Sequence, residues 1–289
     1  MIKFPVRWIK MSKSWSTVTL SITDEKNKEW YQYYAFQNTG DISSNTESTA
    51  TKPMYLWAYL NYNNSNTMKS WSGKTPTGSL TMWNCITYSS NNGAWYTIMW
   101  YYQRCLLNAY YMMKYWNPNS QSVIWKWRTD STTTSTWWTD SQTNATYWST
   151  ANYTTQMKLF WVEDRYWNKM QWLWWVIPSS NTFYVALHDF ASDFTIWNHY
   201  KSAGSVWWSY SELSQILWTN KWMFAPYYKV NNSYYNTYYC DGSYIYNSTW
   251  FIMVWWGYNT RDEAWNFYMW FTTSSTSTSI LYWSRLMYL

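Results

Sequence analysis

Short runs of alternating apolar and polar residues recur along most of this chain, the period expected of strands with one face turned to a core. STVTLSIT, Ser16 to Thr23, is an early example and reads as an exposed strand. Further strand-like runs span Met54 to Tyr62, Ser79 to Tyr88, Val123 to Arg128, Tyr153 to Val162, Gln171 to Ile177, Phe183 to Leu187, Ser205 to Tyr210 and Trp250 to Trp256. Polar breaks separate them, so the pattern predicts a sandwich or barrel. One segment departs from it. Between Ala94 and Trp116, residues Ile98, Tyr101, Tyr102, Cys105, Leu106 and Ala109 recur at three- and four-residue intervals, which predicts a helix.

Thr39 to Lys52 is polar, with Gly40 and Pro53 at its margins, and reads as a loop, as does the Ser/Thr-rich stretch Asp130 to Thr146. Thr272 to Ser279 is a polar low-complexity run expected to be extended. The organisation expected is an N-terminal arm and first strand over 1–50, a β domain over 51–271, and a C-terminal extension over 272–289. No internal repeat is visible.

Composition changes this picture in one respect. Aromatic residues make up 25% of the 289 residues, charged residues only 12%, and there are 7 glycines. Turn-rich chains need glycine wherever φ is positive, and soluble surfaces ordinarily carry about twice this charge. A surplus of Trp and Tyr beside a deficit of Gly, Glu and Arg is the pattern produced when residue identities are assigned from side-chain bulk in a density map. Size and spacing therefore carry more of the reading than single letters. Tryptic peptides matching the sequence throughout would refute that explanation.

The net charge of +6 points toward an anionic partner such as RNA, but the basic residues are scattered. Lys3, Arg7, Lys10 and Lys13 form the only local run, read as a basic arm facing nucleic acid or as a solvated tail. Cys85, Cys105 and Cys240 are too few for a disulfide framework and read as buried thiols. With His188 and His199 the only histidines, no metal site is expected. Met1 to Met11 lacks an apolar leader core, and no 18-residue apolar run predicts a membrane span. The Asn-x-Ser/Thr triplets at Asn63, Asn144, Asn152, Asn231 and Asn247 are expected by chance in so polar a chain.

Enzymatic motifs are missing. No P-loop, dinucleotide fingerprint, EF-hand or nucleophile elbow occurs. Glu163-Asp164, Asp189, Asp193, Asp241 and Asp262-Glu263 offer carboxylates for glycoside hydrolysis. Neighbouring acids on one strand, however, face opposite ways. Trp172 to Trp175, Trp207-Trp208 and Trp255-Trp256 read as core strands before stacking platforms.

Several stretches, in one order, carry a resemblance. YQRCLLNAY (Tyr102 to Tyr110) is similar to an S-L-R-x-L-L-K-R-F helix, matching at Arg104, Leu106 and Leu107. ATYWST (Ala145 to Thr150) resembles F-x-Y-W-R-G, matching at Tyr147 and Trp148. The strand YTTQMKLFWV follows, then Trp167 to Gln171, then a strand ending VIPSS with Pro178 in place. APYYKVN (Ala225 to Asn231) resembles V-P-Y-Y-S, and RDEAWNF (Arg261 to Phe267) resembles G-D-D-F-x-F. In this order the motifs resemble the capsid proteins of dicistroviruses and iflaviruses, the insect-infecting relatives of picornaviruses. The likeness covers Tyr102 to Phe267.

The resemblance implies an all-β, eight-stranded antiparallel jelly-roll sandwich with an N-terminal arm and one or two short helices. It implies a non-enzymatic coat subunit without cofactor, assembled in the host cytoplasm into a virion. Its partners are sister capsid subunits, the packaged RNA genome and a host receptor. The acids Asp262 and Glu263 stand where that family has an acidic motif tied to autocatalytic precursor maturation; the plain alternative is a solvated loop. The rival functions are a carbohydrate-binding β-sandwich using exposed Trp and Tyr, and an outer-membrane barrel.

Overall fold

The computed structural model describes residues 1–5, 7–14, 17–25, 32–33, 53–117, 123–124, 134–147, 156–165, 170–173, 176–179, 182–186, 200–205, 211–217, 225–230, 242–245, 251–254, 269–274 and 276–288. Among them the chain is mainly β, with two helices, α1 over Met82–Ser90 and α2 over Tyr101–Tyr115. The longest hairpin pairs Trp8–Ser14 with Thr17–Thr23 in unbroken register from Trp8 opposite Thr23 to Ser14 opposite Thr17. Met11 lies opposite Leu20 and both are buried, so the strand read as exposed in STVTLSIT is present but turns Leu20 into the core.

The largest sheet has seven strands in the order Ala225–Val230, Ser211–Leu217, Gly242–Ile245, Met269–Thr273, Phe251–Val254, Met170–Leu173, Tyr282–Trp283. A four-stranded sheet runs Ile2–Phe4, Met54–Leu56, Leu286–Tyr288, Tyr96–Ile98. Most pairings are antiparallel, as expected. Two are parallel: Gly242–Ile245 with Met269–Thr273, and Met170–Leu173 with Tyr282–Trp283. The strictly antiparallel arrangement expected from sequence is therefore not what these residues form. In the second pairing the neighbour arrives from a distant part of the chain, and in the first it follows an intervening strand, Phe251–Val254; local alternation encodes neither relation.

Residues 276–288, read from sequence within an extension, return to the body. Leu286–Tyr288 inserts between Met54–Leu56 and Tyr96–Ile98. On one face of that sheet the Tyr288 ring lies 6.0 Å from Tyr55 and 5.0 Å from Tyr96, a cross-strand aromatic cluster of the kind that stabilises sheets. Gly78 packs so close to the Ile280 carbonyl that a Cβ there would collide with backbone.

The helices show where periodicity misleads. Ser79 to Tyr88 was expected as a strand, but α1 occupies most of it and buries Met82, Cys85 and Ser89 at helical spacing. The start signal is Thr81, whose hydroxyl accepts from the Asn84 backbone N–H at 3.0 Å. The expected helix over 94–116 is present as α2, beginning later because Tyr96–Ile98 pairs with the C-terminal strand. Gln103 caps its start by accepting from the Trp100 N–H at 3.1 Å. Cys105, Leu106, Leu107, Ala109 and Tyr111 are buried, and so are Gln103, Arg104 and Asn108, so α2 is a core helix enclosed on several faces.

The run Met54 to Tyr62 is interrupted after Leu56, and Tyr153 to Val162 is in its described part a tight hairpin. Ser205 to Tyr210 and Val123 to Arg128 fall almost wholly outside the described residues, and the loop Thr39 to Lys52 lies wholly outside them.

Candidate functional site

A cleft of about 460 Å³ opens where three distant segments meet: Ala58-Tyr59, the loop around Thr139 to Gln142, and the hairpin carrying Lys158, Trp161 and Glu163. Met1 and Ile2 complete its lining. The loop, read from its Ser/Thr content over 130–146, is described from 134, gives way to a strand at Thr146, and is held in place through Thr136. Its hydroxyl donates to the Trp71 carbonyl at 2.6 Å, and its N–H donates to the Lys74 carbonyl at 3.0 Å.

The hairpin pairs Lys158–Leu159 with Val162–Glu163 across the two-residue turn Phe160-Trp161. Both turn residues have positive φ, 53° and 67°, as a type I′ turn requires. Such positions favour Asn and Gly; an aromatic residue there carries a steric cost of about 1–2 kcal/mol. The turn is secured by the Trp161 N–H, which donates to the Ala145 carbonyl at 2.9 Å.

Glu163 sits at the floor, 1% exposed. Its carboxylate accepts from the Trp137 N–H at 3.0 Å, the Thr139 N–H at 3.1 Å and the Thr139 hydroxyl at 2.5 Å. Burial pushes its pKa up, opposed by these donors. The carboxylate is thus committed to holding the loop. Asp140, at the rim, is exposed. It accepts from the hydroxyls of Tyr59 and Ser72, each oxygen taking one. Burial, then the hydrogen bond to Asp140, raises the Tyr59 phenol and keeps it a donor. Lys158 donates to the Gln142 carbonyl at 2.5 Å, and its ammonium lies 5.1 Å from the centre of the Trp161 ring. Desolvation lowers its pKa, opposed by Glu163 and Asp140.

Beneath the cleft, Arg285 joins its walls. The guanidinium is buried and donates to the carbonyls of Trp57 at 3.0 Å, Ala58 at 2.7 Å, Glu163 at 2.6 Å and Asp164 at 3.1 Å. Burial pulls its pKa down to about 10.

Of the acids singled out in the sequence, Glu163 and Asp164 are described, and both are buried. They were expected to face opposite ways. Asp164 instead has φ of 49° and leaves the strand, so Gln156 donates to both carboxylates, at 3.5 Å to Glu163 and more closely to Asp164. Asp189, Asp193, Asp241, Asp262 and Glu263 lie outside the described residues, as do Cys240 and both histidines. Cys85 and Cys105 are buried thiols outside any disulfide, pushed up to about 12 by burial. Trp172 is fully buried, in keeping with its reading as core.

Sequence reasoning missed Tyr59, Asp140, Lys158 and Trp161 as cleft residues. Among the described residues no helix is long and apolar enough to cross a membrane, and no group of three His, Cys, Asp or Glu is placed to hold a metal ion. Compared with known proteins, the chain matches no family model and no curated sequence.

Proposed function

We propose that the chain is a structural coat subunit of jelly-roll type, assembling with sister subunits into an icosahedral shell around an RNA genome. The observation that carries this reading is the shared order and spacing of motifs from Tyr102 to Phe267. Three features support it. The segment YQRCLLNAY falls within a buried helix, as a core motif should. APYYKV forms a strand, Ala225–Val230, at an edge of the largest sheet. Trp71, Trp95 and Trp116, away from the cleft lining, are each 46% exposed or more, and protein–protein interfaces are enriched in such side chains. A shell subunit works through buried area and shape, with extended termini crossing to neighbours.

Negative-stain imaging of native material tests this directly. Closed isometric particles are expected. A uniform population of isolated monomers favours the carbohydrate-binding sandwich, for which the half-exposed tryptophans beside the cleft speak.

A further inference from the structure

We propose that the cleft bounded by Tyr59, Asp140, Lys158 and Trp161 binds a neutral oligosaccharide, with the Trp161 ring as its stacking platform. The inference goes beyond the coat reading and is independent of assembly, because a shell subunit touching a host glycan and a free-standing module would use the same cleft.

Three observations converge. First, Trp161 keeps 46% of its surface exposed although Lys158 lies over its ring, and Trp137 and Trp138, 49% and 47% exposed with rings 5.3 Å apart, stand on the turn that carries Asp140. Aromatic surface beside fixed polar groups suits a sugar ring, which has apolar faces and a hydroxyl edge. Second, the polar groups are pre-set. Each Asp140 oxygen accepts one hydroxyl from the protein and retains a lone pair for a ligand hydroxyl. Third, the Trp161 N–H donates to the Ala145 carbonyl at 2.9 Å, which fixes the platform's backbone at the cleft wall.

Charge selects the ligand class. The lining sets the carboxylates of Asp140 and Glu163 against the Met1 amine and the Lys158 ammonium, the latter already bonded to the Gln142 carbonyl, so it holds no surplus positive charge for phosphate or sialate. A nucleic-acid strand would stack on the same tryptophans, but Asp140 would repel its backbone.

The test is isothermal titration of the full chain with cellotetraose, maltotetraose, mannotetraose and N-acetylchitotetraose, with octauridylate and sialyllactose as charged probes. At least one neutral tetrasaccharide is expected to bind. Trp161→Ala should weaken it roughly tenfold or more, and Asp140→Asn several-fold. Trp116→Ala, at an exposed residue outside the cleft lining, should leave affinity unchanged. Circular dichroism identifies variants that fail to fold, and Asp140→Asn carries the test if Trp161→Ala does. The proposal is overturned if no neutral tetrasaccharide binds, if affinity survives the folded variants, or if octauridylate displaces the sugar with higher affinity. Imaging decides the shell reading separately, so the two fail independently.

Discussion

Two hairpins in this molecule close through the same kind of turn with opposite residue choices. Tyr62–Asn64 and Thr67–Lys69 are joined by Ser65-Asn66, with φ of 48° and 62°. Lys158–Leu159 and Val162–Glu163 are joined by Phe160-Trp161, with φ of 53° and 67°. The first turn uses small polar residues, and Asn is among the few side chains that tolerate this region. The second places two aromatics where their Cβ atoms crowd the backbone. Local chemistry explains the first; the second needs surroundings that hold it and a reason to keep the bulk. The surroundings are Arg285 and Glu163, and the proposed reason is the cleft.

Removing the clamp should have the largest effect. Arg285→Ala leaves the Trp57, Ala58, Glu163 and Asp164 carbonyls without their shared donor and is expected to cost about 3 kcal/mol in urea unfolding. Glu163→Gln sets an amide donor against the Trp137 or Thr139 N–H and should cost about 2 kcal/mol. The same residue gives a pH signature. Its folded-state pKa is raised, so the folded protein holds that proton more tightly than the unfolded chain. The resulting stability is fully present below the ordinary glutamate pKa and is lost as pH rises through the elevated value. Thermal unfolding across that window should show the decline in the parent chain and its absence in Glu163→Gln.

At the other hairpin the effects shrink. Asn66→Trp copies the strained choice without the clamp and should destabilise by about 1 kcal/mol. Asn91→Ala removes the exposed donor to the Asn66 carbonyl and should cost about 0.5 kcal/mol.

The same contrast marks what was legible in the sequence. The strand in STVTLSIT, the helix containing YQRCLLNAY and, over 134–145, the Ser/Thr-rich loop follow from patterns a few residues long and are present in the structure, whereas the hairpin partner of STVTLSIT was not read. Helix α1 was misread because its apolar letters also fit an alternating run, and the Thr81 cap was the signal that would have corrected it. The cleft was not legible at all. Tyr59 and Asp140 are 81 positions apart, and Arg285 reaches carbonyls 121 to 228 positions away.

Glycine scarcity also takes structural form here. Nine described non-glycine residues have positive φ, among them Trp95, Trp116, Trp137 and Trp161, against Gly73 and Gly93. A chain whose letters were assigned by bulk would look this way. Peptide mass spectrometry across 156–165 separates the two origins of the aromatic turn: tryptophan at 161 sharpens the contrast between the hairpins, and glycine there dissolves it.

The most direct measurement combines stability and binding in one variant, Phe160→Asn/Trp161→Gly, which gives the second hairpin the residues its backbone prefers. If Trp161 is kept for the cleft, the variant should unfold at higher urea, by up to about 1 kcal/mol, and lose tetrasaccharide binding. Lower stability together with undiminished binding would contradict the account.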